Sequence, residues 1–274
     1  MAKDQPAEPV IDSSDDGRPD YEYTGRHLED WSRYHPWPTE DPFLPLKRID
    51  LPGTDGWRLS LGGSARVRFE AWEDFAASAA NDDTFLLGRA RLHADLHAGD
   101  RVRVFIEGMT AHATDRSLPG GRRNADVDTA AVHQAFAEIA LLQGLGKGSD
   151  FTIKPGRQSL GFGNGRLIGR AGWRDSLWTW DGVTAEFKTR GWSFTPLWVL
   201  FVPPRKYDFD SSTDIALYGV YCSGPVAQSG LHADAYALTF DDNNARTFNG
   251  TTGSDTRYTF GGRLFTEPND QGLS

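Results

Sequence analysis

The sequence predicts an all-β protein: an antiparallel up-and-down meander that forms part of a large transmembrane β-barrel, with about ten strands present in this chain. Three observations favour this fold. Apolar and polar residues alternate with a period of two over long segments. The connections between these segments are alternately long and short. The polar face of the clearest segments is unusually rich in arginine, whereas soluble sheets mostly place Thr, Ser, Lys and Glu there.

The first predicted strand begins at Trp57 and shows the clearest alternation. Its odd positions are apolar or small, and they hold Trp57, Leu59, Leu61, Gly63, Ala65, Val67, Phe69 and Ala71. Its even positions are mostly polar, and they hold Arg58, Ser60, Gly62, Ser64, Arg66, Arg68 and Glu70. Successive side chains of a strand point to opposite faces, so one face of this strand is apolar and the other is polar.

The next two strands repeat the pattern on either side of a tight turn at Gly99-Asp100. The polar positions of the second strand are Arg89, Arg91, His93, Asp95 and His97, set between apolar or small residues from Leu86 to Ala98. In the third strand, Val102, Val104 and Ile106 alternate with Arg101, Arg103 and Glu107. These strands are about a dozen residues long, which exceeds the roughly 5–6 residues usual in soluble sheets.

Seven further strands are predicted with less regular alternation. They span residues 129–142, 150–162, 179–190, 191–203, 212–223, 229–241 and 255–266. Long connections follow the first, third, fifth and seventh strands, and shorter ones lie between them. Long loops at one end and short turns at the other are typical of outer-membrane barrels, so we expect the turns on the periplasmic side and the loops outside the cell.

Two regions are expected along the chain. Residues 1–56 are predicted to be a polar N-terminal lead-in with a periplasmic segment, and residues 57–274 a β-barrel domain. The lead-in is acidic from Met1 to Tyr23, has no apolar region of a secretory signal, and includes a short helical turn within His27 to Tyr34.

Composition excludes several classes of protein. The chain has no window of 18 uncharged apolar residues, which excludes a transmembrane helix. Its formal net charge of −9 argues against a nucleic-acid partner. The single cysteine, Cys222, excludes an intrachain disulfide and a CxxC metal or redox motif. We expect no cofactor and no enzymatic activity.

Arginine is the most informative residue type, since the chain has 23 Arg and only 6 Lys. The planar guanidinium binds carboxylates through paired N–H donors. Seven arginines share the polar faces of the first three strands with only three acids: Arg58, Arg66, Arg68, Arg89, Arg91, Arg101 and Arg103 with Glu70, Asp95 and Glu107. We interpret them as a lining that attracts anions. The alternative is an internal salt-bridge ladder that fills a barrel. Glu138 and Arg157 complete the candidate binding residues.

Arg157 poses a problem of phase. The alternation of Phe151, Ile153 and Pro155 places Arg157 on the apolar face, at a cost of about 2–4 kcal/mol near the middle of a membrane. A β-bulge at Pro155-Gly156 would return Arg157 to the polar face. We therefore expect a bulge there.

Other kinds of site are weaker interpretations. His93, Asp95 and His97 share one face of a strand but are spread over about 13 Å, too far for one metal ion. The glycines from Gly161 to Gly165 lack the strand and helix of a nucleotide-binding loop. Glu70, Asp95, Glu107 and Glu138 could supply a carboxylate pair for glycoside cleavage, but each lies beside arginine. A soluble β-protein that binds or degrades acidic polysaccharide therefore remains the alternative function.

Several short motifs, taken in order, resemble the alginate-export family of bacterial outer-membrane β-barrel porins. They are Glu29-Asp30-Trp31, Leu46-Lys47-Arg48-Ile49-Asp50-Leu51, Leu59-Ser60-Leu61-Gly62-Gly63, Leu92-His93-Ala94-Asp95-Leu96, Gln134-Ala135-Phe136, Gly156-Arg157-Gln158, Asp181-Gly182, Tyr218-Gly219-Val220-Tyr221 and Gly261-Gly262-Arg263. The resemblance runs from about Tyr23 to the end of the chain.

This resemblance implies a barrel in the bacterial outer membrane with an arginine-rich lumen. Its implied partners are an anionic polysaccharide such as an alginate-like polyuronate, or other anionic solutes, together with outer-membrane lipid and periplasmic export components. The family's barrels have more strands than the ten predicted here and begin with a signal peptide. We therefore expect either a fragment or a truncated family member whose barrel is completed by something else. We predict that the gene continues beyond Ser274 for several further strands and ends in an aromatic residue.

Overall fold

The structure of the protein is a computed structural model that describes residues 26–28, 31, 42–118, 120–144, 149–170, 172–227 and 229–266. The predicted all-β meander is confirmed: eleven antiparallel strands form one sheet in the order of the sequence. The strands are β1 (Ile49–Asp50), β2 (Trp57–Trp72), β3 (Asp83–Ala98), β4 (Val102–Ala113), β5 (Asp128–Leu142), β6 (Asp150–Gln158), β7 (Thr179–Thr189), β8 (Trp192–Val202), β9 (Ile215–Val226), β10 (Leu231–Phe248) and β11 (Thr251–Thr266). The sheet is open, because β1 and β11 each pair with one neighbour.

Within the described ranges, helix is confined to three short 3₁₀ segments, Arg26–Leu28, Leu44–Lys47 and Ala79–Asn81. None of the helices in the described part of the chain has the length and apolar character that a membrane span needs. The first 3₁₀ segment falls where the sequence predicts a helical turn. Apart from Trp31, which is not helical, the rest of that turn lies outside the described residues. The lead-in from Met1 to Tyr23 and the C-terminal Gly272-Leu273-Ser274 lie outside them as well.

The two faces of the sheet are inverted relative to a soluble protein. Polar side chains are buried on one face, which we call the inner face, and Arg91 is 2% and Glu107 0% exposed there. Apolar side chains are exposed on the opposite, outer face, where Val67 is 77%, Leu92 75% and Phe260 76% exposed. Large contiguous apolar surfaces are rare on soluble monomers. An apolar outer face is the surface that a membrane-spanning sheet presents to lipid.

The predicted alternation of connections holds for eight of the nine connections between β2 and β11. The long ones span residues 73–82, 114–127, 159–178 and 203–214, and the short ones span 99–101, 143–149, 190–191 and 227–230. The exception is the last connection, where the predicted strand ends at residues 241 and 255 are wrong. The strands β10 and β11 continue to a two-residue turn at Asn249-Gly250, in which both residues have positive φ. Positive φ at both turn residues matches the right-handed twist of the two strands in a tight hairpin, and Asn-Gly is the residue pair that favours this turn.

The predicted bulge at Pro155-Gly156 is also wrong. The register between β6 and β7 is continuous from Asp150 to Gln158, so Arg157 keeps the phase of Ile153 and stays on the outer face. A carboxylate on the neighbouring strand compensates its charge. Asp181 lies directly opposite Arg157 and accepts from its Nε at 2.7 Å and its Nη2 at 2.8 Å.

Glycines allow close approach of strands on the inner face. Gly219 has φ of +143°, and a Cβ added there would collide with the carbonyl oxygen of Ala237 on β10. We expect Gly219→Ala to lower the free energy of unfolding by about 1–3 kcal/mol, because it combines backbone strain with displacement of β10. Urea titration of the folded, lipid-reconstituted protein, followed by tryptophan fluorescence, measures this change.

Gly88→Ala is the matched control for this substitution. Gly88 lies in β3 with a negative φ, and among the described residues no atom comes within 4 Å of an added Cβ. An equal loss of stability in both variants would mean that β9 does not depend on the close approach.

Candidate functional site

The connection between β6 and β7 folds back over the inner face of the sheet. We call residues 159–178 the inner loop; all of them except Ala171 are described. At its beginning, Leu160 and Ile168 pack with inward apolar side chains of β8, β9 and β10, in a buried cluster that contains Leu197, Val199, Leu217 and Leu238. Apolar packing therefore attaches this part of the loop to one half of the sheet.

The end of the inner loop is held by arginines of the other half. Arg66 on β2 lies directly opposite Arg89 on β3. The carbonyl oxygen of Arg174 accepts from Arg66 Nη2 at 3.0 Å and from Arg89 Nη1 at 3.1 Å. The buried carboxylate of Asp175 accepts from Arg66 Nη2 at 2.8 Å. Two like charges that face each other across a hairpin are thus bridged by a loop carbonyl and a loop carboxylate.

Arg68 is the third arginine that holds the inner loop. Its Nη1 donates to the carbonyl oxygen of Trp173 at 2.6 Å, and its guanidinium lies 4.7 Å from the centroid of the Trp173 ring. The carboxylate of Glu70 lies 2.6 Å from Arg68 Nε. Three of the seven predicted lining arginines are therefore engaged by the loop or by a neighbouring acid.

Arg91 belongs to a buried polar network behind the inner loop. A register shift between β4 and β5 places both His133 and Gln134 on the inner face, where they are buried. His133 Nε2 lies 3.7 Å and Arg91 Nη1 3.9 Å from Glu107 Oε1. Gln134 Nε2 donates to the same oxygen at 3.4 Å, and Gln134 Oε1 accepts from the backbone N–H of Ser159 at 3.2 Å. Glu107 therefore compensates Arg91 and helps to fix the start of the loop.

Arg103 is held by two carboxylates. Its Nε and Nη2 donate to the two oxygens of Asp95, each at 2.8 Å, and its Nη1 donates to Glu138 at 3.1 Å. Its Nη2 also donates to the backbone carbonyl of His27, from the N-terminal segment, at 2.6 Å. Lys154 shares Glu138 at 2.5 Å. The predicted acids Asp95 and Glu138 are thus both paired with Arg103.

Arg58 and Arg101 differ from the other predicted arginines. Among the residues that the structure describes, neither has an ion-pair partner. Both line a cavity of about 400 Å³ near the short turns, which we call the turn-side cavity. Arg103, His97, Glu138 and Gln143 also line it. The cavity is therefore a place on the inner face where two arginines without an ion-pair partner among the described residues meet.

The carboxylates that pair with the seven arginines are not confined to the first three strands. Asp175 lies in the inner loop and Glu138 on β5, so the count of three acids was too low. The salt-bridge interpretation describes Arg66, Arg68, Arg91 and Arg103. Arg157 is corrected as well, because it lies on the outer face with Asp181 and not with the other arginines.

The N-terminal segment around His27 lies against the inner face. The His27 ring is buried, with its centroid 6.0 Å from that of Phe105 and 5.9 Å from that of Phe136. It borders a second polar cavity of about 510 Å³, which contains Lys154 and Arg170. Burial and the positive charges of Lys154, Arg170 and Arg103 hold the pKa of His27 well below its usual value. The docked segment thus requires a neutral histidine.

Sequence reasoning missed His27, His133 and Asp175 as inner-face residues, whereas Gln134 was placed on the polar face with Phe136 and Glu138. His133 and Gln134 are adjacent, and no alternating pattern places two successive residues on one face without a bulge. Asp175 and His27 lie outside strands, where periodicity carries no information. The predicted site residues within β2, β3 and β4 do share the inner face, as the alternation indicates.

Comparison with known protein families finds one family that the chain matches. Residues 57–274 match the model of a family described as alginate export. No curated protein matches the chain.

Breaking the Arg66–Asp175 ion pair tests the attachment of the inner loop. Asp175→Ala should raise the rate of trypsin cleavage at Arg166, Arg170 and Arg174 by at least several-fold, because removing one partner of a buried pair costs about 3–5 kcal/mol. Mass spectrometry of fragments from protein in lipid nanodiscs measures the rate. Asp115→Ala is the control, since it removes an exposed partner of Arg122 in the neighbouring loop. Equal cleavage in both variants would contradict the attachment.

Acid pH should release the N-terminal segment. The pKa of docked His27 is below the value of about 6.5 for a free histidine. The docked state is therefore fully stable above pH 6.5 and loses stability as the pH falls below it. The neighbouring Arg103, Lys154 and Arg170 stay positive throughout and oppose protonation, and His133 opposes it as well.

Single-channel conductance in planar bilayers measures this release. We expect a conductance increase from pH 7.5 to pH 5 in the native protein and at least a two-fold smaller increase in His27→Gln, whose side chain does not titrate. The same pH response in both proteins would assign it to other groups.

Proposed function

Because the chain belongs to the alginate export family, we propose that it forms the wall of an outer-membrane channel that passes an anionic polysaccharide. An alginate-like polyuronate is the proposed solute, and smaller organic anions are the alternative solutes. Passage is by diffusion along the inner face, and the protein carries out no chemistry on the solute. The observation that carries this proposal is the turn-side cavity, with Arg58 and Arg101 beside Arg103.

The cavity suits a polyuronate because each sugar residue carries a carboxylate. A guanidinium offers five N–H donors in a planar fork and can bind a carboxylate bidentately. Arginines that already donate to Asp95, Glu107 or Asp175 have fewer N–H donors left for a solute. We propose that they contribute mainly to the electrostatic potential of the inner face. Arg58 and Arg101 supply the contacts that an anion can exchange as it moves. Weak and repeated contacts allow a charged solute both to enter and to leave.

The apolar outer face supports the outer-membrane location. A sheet with polar side chains buried on one face and apolar side chains exposed on the other matches lipid outside and water inside. We further propose that residues 57–274 belong to the barrel domain, that residues 1–56 form its periplasmic lead-in, and that the short turns face the periplasm. Unpaired strand edges are costly in lipid. Additional strands must therefore complete the barrel between β11 and β1.

No structural observation favours the soluble alternatives. A catalytic pair for glycoside cleavage needs one protonated carboxyl group, but Asp95 and Glu138 both accept from Arg103. Glu107 is fully buried beside Arg91. Two simple observations separate the alternatives. A monodisperse protein without detergent would favour a soluble protein, and release of reducing sugar ends would favour an enzyme.

Charge reversal in the turn-side cavity tests the proposed selectivity. Arg58→Glu combined with Arg101→Glu should shift the reversal potential in a salt gradient toward cation selectivity, because it changes the local charge by −4. Added polyuronate should block the variant at least ten-fold less strongly than the native channel. The shift should weaken as salt shortens the Debye length from about 10 Å at 0.1 M to about 3 Å at 1 M.

Arg190→Glu is the control for position. Arg190 lies in the short turn between β7 and β8 and does not line the cavity. We expect little change in its reversal potential. An unchanged reversal potential and undiminished block in the Arg58/Arg101 variant would place the passage elsewhere.

A further inference from the structure

The inner face of the second half of the sheet contains a cavity of a different kind. It has a volume of about 470 Å³ and lies on the long-loop side of β7 to β11, under the inner loop. Most of its lining is aromatic or aliphatic and comes from five strands and the loop. The principal apolar lining residues are Trp178, Trp180, Phe201, Leu217, Leu238 and Phe240. We call this space the apolar cavity.

An apolar cavity does not serve the passage of a polyuronate. A polyuronate carries a charge and several hydroxyl groups on every sugar, and burying these groups against aliphatic side chains leaves them without hydrogen bonds. The volume and composition instead match a site for a small organic molecule: such sites occupy about 300–1,000 Å³, and a few polar groups orient the ligand in a mainly apolar lining. The cavity is also remote from Arg58 and Arg101, which lie on β2 and in the turn before β4.

The charged residues that line the apolar cavity are both arginines, Arg246 on β10 and Arg257 on β11. Arg246 is paired with Asp242, and Arg257 with Asp255, but neither carboxylate lines the cavity. The Arg257 guanidinium lies 5.1 Å from the centroid of the Phe240 ring. Since an arginine has five N–H donors, each guanidinium keeps donors for a second carboxylate. A positive group therefore adjoins an aromatic surface at this cavity.

We propose that the apolar cavity binds an amphipathic organic anion, an aromatic carboxylate. Its ring lies among Trp178, Phe201 and Phe240, and its carboxylate accepts from Arg257 and Arg246. Ring burial supplies most of the affinity, and the arginines select a carboxylate over a neutral analogue. This site is separate from the polyuronate route and does not depend on the proposed channel function.

The inner loop forms part of this site, so binding of a ligand in the apolar cavity affects the position of the loop. Leu167, Ile168 and Gly169 line the cavity, so a bound aromatic acid contacts both the loop and the strands. A ligand that binds only the docked arrangement of the loop stabilises it. A bound aromatic acid therefore favours the covered inner face.

Isothermal titration of naphthalene-2-carboxylate into the full chain in lipid nanodiscs tests the proposal, with empty nanodiscs as the blank. We expect saturable binding of one molecule per chain. Naphthalene-2-carboxamide, which has the same ring but no charge, should bind at least five-fold more weakly. Arg246→Gln combined with Arg257→Gln should remove this difference.

Filling the cavity locates the site. Leu217→Trp should weaken binding at least ten-fold, and Thr259→Trp, on the edge strand β11, gives a second filling variant if the first does not fold. Leu92→Trp is the matched control, because Leu92 is exposed on the outer face. Equal affinity in the filled variants and the control, or equal affinity for the acid and the amide, would overturn the proposal. The titration does not measure transport, so its failure leaves the channel proposal standing.

Discussion

The arrangement of the inner face depends on the contact between Arg66, Arg89 and the end of the inner loop. Two guanidinium groups that face each other across a hairpin repel, and in a partly buried site this repulsion needs a compensating negative group. The Arg174 carbonyl and the Asp175 carboxylate supply it. Because the start of the loop packs on β8, β9 and β10, this contact connects the two halves of an open sheet across the inner face.

This connection divides the inner face into regions with different chemistry. The strands β2 to β5 present charged side chains, and the long-loop part of β7 to β11 presents mainly aromatic and aliphatic ones beside Arg246 and Arg257. Under the proposed function, the first region attracts anions through its electrostatic field, with Arg58 and Arg101 as the exchangeable contacts. The second region contains a cavity with a mainly apolar lining. The predicted arginines of β2, β3 and β4 therefore occupy one part of the sheet, and a small apolar core lies beneath the loop in the other part.

Alternation with a period of two was sufficient to predict the meander, its faces and most strand positions, because one-sided burial fixes the phase of every strand. It could not predict features that break the phase. The bulge at His133-Gln134 depends on the register between neighbouring strands, which a single strand's pattern does not contain. Alternation alone did place Arg157 on the apolar face, and the expected bulge that would have moved it is absent from β6. Asp175 and His27 lie in segments that have no alternating pattern. Their contacts with arginines of the strands arise only from the tertiary structure, so the sequence pattern does not predict them. The Asn249-Gly250 pair is a strong hairpin signal in the sequence, but the strand ends were predicted at residues 241 and 255, so this hairpin was not predicted.

The central claim is that the outer face meets lipid while the inner face meets water. Cys222, the single native cysteine, pairs with Ala235 on the outer face and gives a direct probe. A nitroxide on Cys222 in liposomes should relax efficiently with oxygen and poorly with a water-soluble nickel chelate, and a nitroxide at Arg58→Cys in a Cys222→Ser background should show the reverse. A Cys222 label that is more accessible to nickel than to oxygen would contradict the account.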